Sequence, residues 1–467
     1  MKYALHCTSE DVCVRPVKDT HLRLEKKDGR VEVVREKVSA ENTVESIFQD
    51  YPLKGRITAE NVRKQLANVR HIGFEVTDGC NLKCTYCAYG KYYNDYDVRT
   101  GKKMGIRKAK VLIDDLWERL HSPLNESAMN EVMVSFYGGE PLLNFEFIQE
   151  MVHYTQQKQD NRVKFNYVMT TNAVYLKKYF PFIHQYDFRV MISLDGSAEN
   201  DGHRVFPNGS PSFDIVYNTI KYIQDNYPDY FEKKITFNAV IHNKNNVQEI
   251  FDFFQREFGK IPSMAGLNPS GVNPELANEF ECLKKFKPFT KDERIFQKME
   301  EVMDLNFGEV KVLQDFIFRY SGNTYMTYEH LLEKRDYTQY IPTATCIPFS
   351  KRVFMTVNNK LFPCERIGHQ YALGEVTDNG VQIDCTSVAD RYNEYYESMD
   401  KQCSTCLFKV NCSQCMFSIK GLDIGHPQCD QWADASVFQN YLKLNLELLA
   451  KRPELYQRIM KELIWAD

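Results

Sequence analysis

Long apolar runs are missing: nowhere in the 467 residues do the roughly 20 consecutive apolar positions of a membrane helix occur, so no membrane span is expected. Charge of one sign is equally scarce. The 59 basic and 63 acidic residues leave a formal charge of −4 without a like-charge block, which argues against a nucleic-acid partner. Met1–Val12 offers only Tyr3–Leu5 as an apolar stretch, so no secretory signal is expected and the chain is read as cytoplasmic. Repeats and low-complexity segments are absent too. What remains is an ordinary globular composition, 43% hydrophobic and 26% charged. At roughly 150 residues per domain, the length predicts two to four structural units.

Cysteine is the exception, with 14 residues. In a chain without an export signal these stay reduced, and metal binding is a better reading than a disulfide framework.

Short β-rich runs alternate with helical patterns from Glu75 to Ile241, which predicts βα units and a parallel sheet. The strands fall at His71–Val76, Glu131–Tyr137, Lys164–Thr170, Phe188–Leu194 and Lys234–Ile241. Helices are expected at Arg107–His121, Phe145–Lys158 and Phe213–Asp225, where apolar residues such as Val111, Leu112, Leu116 and Leu120 recur at helical spacing. Residues 1–69 read as a small α+β appendage. In it Leu22–Lys27 and Arg30–Lys37 flank an Asp28-Gly29 turn, ahead of helical patterns at Glu41–Gln49 and Ala59–Val69. The core is placed at 70–265, a helical connection at 266–345 (with Asp292–Leu305 and Val312–Arg319), a cysteine-rich domain at 346–433 and a helical tail at 434–467.

Parallel sheets place their chemistry in the loops after the strands. Directly after the first strand stand Cys80, Cys84 and Cys87, a C-x3-C-x2-C in one loop. Three thiolates can hold three irons of a [4Fe–4S] cubane and leave the fourth iron open. A thioredoxin-like pair at Cys84 and Cys87, or a zinc site completed from afar, are the plainer readings. Later strands end in Gly138-Gly139-Glu140-Pro141, Thr170-Thr171-Asn172 and Ser193-Leu194-Asp195-Gly196. Singly these are a turn, a helix cap and a loop. Together, beside three thiolates on one rim, they suggest a ligand site in which the glycines admit a ligand to the backbone and Glu140 pairs with a cationic amine.

Over about residues 70–260 this pattern resembles the radical S-adenosylmethionine (SAM) superfamily. The resemblance implies a partial (β/α)6 barrel in which Cys80, Cys84 and Cys87 hold a [4Fe–4S] cluster whose open iron chelates SAM. Reductive cleavage of SAM then yields a 5′-deoxyadenosyl radical that abstracts a substrate hydrogen. It also implies that Tyr86 lies near adenine and that Gly138, Gly139 and Glu140 bind the amine. Ser193 and Arg204 would lie near the methionine carboxylate and ribose, with Asn172 on the same side. The run Asn200-Asp201-Gly202-His203-Arg204 departs from the usual His-Asp spacing before that arginine.

A second region reads Cys346-x17-Cys364, then Cys403-x2-Cys406-x5-Cys412-x2-Cys415-x13-Cys429. Its paired C-x2-C motifs suit zinc on spacing alone, but seven thiolates exceed one ion. The set is similar to the SPASM extension of radical SAM enzymes, with two auxiliary [4Fe–4S] clusters. That likeness implies an outer cluster on Cys403, Cys406, Cys412 and Cys429, and an inner one on Cys346, Cys364 and Cys415. The inner cluster then lacks a fourth thiolate, and Cys385 or an open iron completes it; the open iron is preferred. Asn358-Asn359 predicts a type I′ hairpin that returns Cys364 toward Cys346. Cys7, Cys13 and Cys282 read as buried thiols.

SPASM-type enzymes modify peptides or proteins, so the resemblance implies a ribosomally made precursor peptide as partner, bound by leader and core, and an electron donor such as flavodoxin or ferredoxin. Glu365, directly after Cys364, is the candidate catalytic base. Residues 1–69 would bind the leader through a sheet edge. Anaerobic sulfatase maturation (formylglycine formation) is the competing reaction. A non-enzymatic metal-binding interaction module is the competing class.

Overall fold

The structure, a computed structural model, describes residues 6–7, 11–17, 20–27, 30–37, 53–127, 130–268, 271–285, 287, 313–317, 341–409 and 412–463. The chain forms two compact units, one of Met1–Arg56, Asp292–Thr345 and Asn393–Asp467, the other of Ile57–Lys291 and Cys346–Tyr392. The Asp28-Gly29 turn and the helices expected over 41–49 and 292–305 lie outside the described residues, while 313–317 is helical. None of the described helices is long and apolar enough to cross a membrane.

In the first unit β1 (His6–Cys7), β2 (Asp11–Val17), β3 (Thr20–Lys27) and β4 (Arg30–Lys37) form an antiparallel sheet in chain order. Lys27 pairs with Arg30, the register of a two-residue connection. Leu313, Phe316 and Ile317 pack with Leu446, Leu449, Leu455 and Ile459 from the helices Ala435–Lys451 and Pro453–Leu463.

The second unit holds β5 (His71–Thr77), β6 (Asn130–Gly138), β7 (Val163–Thr171), β8 (Arg189–Ser193), β9 (Ile235–Ile241) and β10 (Ser263–Gly266). These six pair parallel in sequential order. Alternation decides the faces: Val132, Val134 and Phe136 of β6 are buried, as are Phe165, Tyr167 and Met169 of β7. Helices Ile106–Leu120 and Phe145–Lys158 bury Leu112, Leu116, Ile148 and Met151, and Phe147 meets Phe74 edge-on at 5.7 Å.

The second cysteine region departs from expectation in two ways. A further strand, β11 (Val353–Met355), pairs parallel with β5, so the second cysteine region continues the main sheet through β12 (Lys360–Phe362), β13 (Gly374–Thr377) and β14 (Gly380–Gln382). Phe354 fills the space over Gly73, where an added Cβ would lie 2.8 Å from its ring. The β11–β12 connection is also not type I′, because only Asn359 has positive φ (63°). With Thr356 N donating to Lys360 O at 3.0 Å, it is a three-residue loop ending in a left-handed residue.

Candidate active site

The three-cysteine loop leaves the C-terminal end of β5 and is tied at both sides. Asp78 N donates to Lys102 O at 3.0 Å, Lys83 N to Val205 O at 2.7 Å, and Thr85 N to His203 O at 3.0 Å. Cys80 is exposed, while Cys84 and Cys87 are half-buried. Desolvation pushes the Cys84 thiol up to about 12 and raises Cys80, and repulsion among the three thiols adds to both shifts. Leu82 N donates to Cys80 Sγ at 3.4 Å, and Asn172 Nδ2 lies 3.8 Å from it.

The loop after β6 packs directly on this one. Gly139 N donates to Thr77 O at 2.8 Å and Glu140 N to Gly79 O at 2.9 Å. A Cβ at Gly139 would stand 2.0 Å from Gly79 O, and one at Gly138 (φ 129°) 2.3 Å from Thr77 O. The close approach these glycines permit includes one to the cysteine loop's own backbone. Glu140 is 1% exposed and accepts from Leu142 N at 3.1 Å, Thr171 Oγ1 at 2.7 Å and Asn172 N at 2.7 Å. Burial still raises its pKa against these donors and Arg204.

Tyr86 is buried; its hydroxyl donates to Asp195 and accepts from Arg204 Nη1 at 3.1 Å, and its ring stacks on His242 at 5.4 Å. Asp195 also accepts from Val240 N at 2.9 Å. Arg204 Nε lies 3.7 Å from Asp201 Oδ1, beyond hydrogen-bond reach, and Arg204 Nε, Asp201 Oδ2, Asp78 Oδ1 and Asn81 Nδ2 are buried without a hydrogen-bond partner. Sequence reasoning gave no role to His203 or His242, and it named Asp195 only within its motif; the partners of Asp195 and His203 lie some 40 to 110 positions away. Ser193 is half-buried at the end of β8, opposite Asn238 in register.

The sheet's other polar cluster joins His71 Nε2 and Ser135 Oγ at 2.7 Å. Loss of solvation, with the Arg352 charge, lowers His71 to about 4. Glu365 accepts from Arg352 Nη1 at 2.6 Å and lies 3.7 Å from Cys364 Sγ. Cys364 is half-buried and its thiol is pushed up to about 11 by desolvation and then by Glu365. Cys346 is exposed. Cys385 is buried, and the charges acting on its thiol are Arg119, Arg63 and Asp384. Cys282 is exposed, contrary to the buried thiol expected, because the helix Ala277–Lys284 buries Phe280 and Leu283 instead.

In the other unit Cys403, Cys406, Cys412 and Cys429 line one cavity of about 450 Å³ together with Phe408, Lys409, Trp432 and Tyr441. Desolvation, reinforced by the other three thiols, pushes Cys403 up to about 12. Cys415 is half-buried in this unit, and Met416 N, one residue on, donates to Thr345 Oγ1 at 2.8 Å. Among the described residues no three His, Cys, Asp or Glu side chains converge as for a single bound ion. In a cubane each thiolate takes a different iron.

The residues after β5 fit an iron–sulfur cluster with a zwitterionic ligand: thiols in one loop, a buried acid, and a guanidinium with an unused buried N–H, each within reach of the others' charge. Comparison with known proteins points the same way. Residues 74–256 match the family model for the radical SAM superfamily. The chain is 29% identical over 264 residues to a cysteine-type anaerobic sulfatase-maturating enzyme of Clostridium novyi, covering 53% of this chain and 64% of that protein. It is 24% identical over 254 residues to the radical SAM cyclopropyl synthase TigE of Paramaledivibacter caminithermalis, covering 52% and 49%. The match thus spans 64% and 49% of these relatives' own lengths, less than two thirds of either. The solved structure "His6 tagged anSMEcpe with bound AdoMet" shares the fold, with a TM-score of 0.52 at 16% identity over 84% of this chain and 99% of that one. Residues 74–256 are therefore a radical SAM domain, carried on a parallel α/β sheet.

Proposed function

We propose that the protein is a radical SAM enzyme that matures a ribosomally made peptide, installing a thioether or similar crosslink. The observation that carries the reading is the single loop of Cys80, Cys84 and Cys87, hydrogen-bonded through Gly79 to the loop that presents Glu140. In this reading those cysteines ligate the cluster. Glu140 and Asn172, with Arg204 and Ser193, orient SAM, and Tyr86 holds Arg204 in place. The bound cluster and SAM supply reductive cleavage and hydrogen abstraction. The four-cysteine cavity holds an outer auxiliary cluster, and Cys346, Cys364 and Cys415 hold an inner one. In this reading the inner cluster keeps an open iron and Cys385, whose charged neighbours are Arg119, Arg63 and Asp384, stays outside it.

Glu365 deprotonates or positions the peptide once substrate displaces it from Arg352. Residues 1–69 take the leader along the sheet, where an extended peptide can add to an edge strand. An external reductant of the flavodoxin or ferredoxin type completes the cycle. The Clostridium novyi relative also favours a second reading, maturation of a sulfatase. Incubating the reconstituted enzyme with SAM, reductant and either a sulfatase-derived cysteine peptide or a genomically adjacent short peptide separates the two. Hydrogen loss and a crosslink in the adjacent peptide support peptide maturation; formylglycine in the sulfatase peptide alone overturns it.

A further inference from the structure

Glu75, on β5 five residues before Cys80, is 2% exposed, and its carboxylate oxygens serve different parts of the chain. Oε1 accepts from Arg99 Nη2 at 2.9 Å, and Oε2 accepts from Val357 N at 3.1 Å, in the turn of the β11–β12 hairpin that leads to Cys364. Arg99 lies 3.2 Å over the Tyr89 ring and donates Nη1 to Asp78 O at 2.8 Å.

The segment around Arg99 repeats this double attachment. On the side of the cysteine loop, Thr100 N donates to Asp78 Oδ2 at 3.1 Å and Asp78 N to Lys102 O at 3.0 Å. Toward the hairpin, Lys102 Nζ donates to Asn358 Oδ1 at 2.9 Å, while Asp97 accepts from Asn358 Nδ2 and Lys360 Nζ, each at 2.9 Å. His369, five residues after Cys364, receives Asp97 N on Nδ1 at 3.0 Å and donates its own N–H to Asp95 O at 2.7 Å.

We propose that Asp95–Lys103, anchored on Glu75, is a strap that positions the Cys80 loop and the Cys364 hairpin as one body, so that a change at either is transmitted to the other. Glu75, Arg99 and Asp97 are its positioning residues. The physical basis is that a buried carboxylate shared by a guanidinium and a backbone N–H cannot release one partner without its own charge being left poorly compensated. Two sites that bias one such element are coupled reciprocally. The chemical consequence rests on the proposed ligand roles of Cys80 and Cys364; the strap itself rests on the bonds above.

Amide hydrogen exchange on the full-length, cluster-free chain tests it. Glu75→Gln keeps the shape and removes the charge, and exchange at both 77–82 and 356–361 is expected to quicken about tenfold or more. Asp97→Asn, on the half-exposed side, is expected to quicken 356–361 and, through the strap, 78–80. It serves equally if Glu75→Gln does not fold. Acceleration confined to one of the two segments overturns the proposal. In the iron-loaded chain, Cys364→Ala should alter the electron paramagnetic resonance signal of the first cluster, and an unaltered signal counts against transmission. If Cys364→Ala leaves the iron content unchanged, the ligand reading fails while the exchange result stands.

Discussion

Individual residues carry most of the site's constraints. At Gly139 the conflict is with backbone: a methyl group would sit 2.0 Å from Gly79 O, and that carbonyl cannot swing away without moving the Cys80 loop. Gly139→Ala is expected to lose the first cluster's share of iron, about four per chain, while the C-terminal clusters keep theirs; iron analysis with absorption spectra reads the difference. His71 makes a pH prediction. Its folded-state pKa is lowered to about 4, whereas an unfolded histidine titrates near 6.5. The unfolded chain therefore binds more protons between those values, so a contribution fully present above about pH 6.5 is lost as the pH falls toward about 4, of order 3 kcal/mol. Urea unfolding of wild type and His71→Gln between pH 6.5 and 4.5 should show a shallower loss in the variant. The placement of Cys80, Cys84, Cys87, Glu140 and Asn172 in loops that leave strand ends was legible because each stands in a short motif there. The Tyr86–Asp195–Arg204 network was not, because its members meet only after three loops have folded together.

Among the elements, strands with clean alternation were legible to within a residue or two. Val163–Thr171, against the expected Lys164–Thr170, shows how far period-2 burial goes. β10 escaped because Ser263–Gly266 has no exposed-buried alternation to read. The helix Leu176–Gln185 escaped because Pro181 interrupts its pattern. The helix Val247–Phe258 carries readable signals in its Asn246 cap and in Gly259 at φ 64°. The hairpin was found but its turn was misjudged, since two asparagines suggest type I′ whereas only Asn359 is left-handed. Asn359→Gly should be tolerated, and Asn359→Val should cost about 1–2 kcal/mol, read as a lowered thermal midpoint.

At the scale of the whole molecule the account requires separate iron sites. About 12 irons per chain are expected at full loading. Replacing Cys403 and Cys412 by Ala, which removes half of the cavity's thiols, should cost about four of them without abolishing SAM cleavage. Cys385→Ala should leave iron and turnover nearly unchanged. The way β11 extends the main sheet was invisible in the sequence, since parallel pairing of Val353–Met355 with β5 joins positions some 280 apart. The most direct measurement is 5′-deoxyadenosine production by the anaerobically reconstituted full chain with SAM and a reductant. The account predicts formation by the wild type and none by Cys80→Ala/Cys84→Ala/Cys87→Ala, with about eight irons still bound by that variant. Deoxyadenosine formed by the triple variant at the wild-type rate contradicts it.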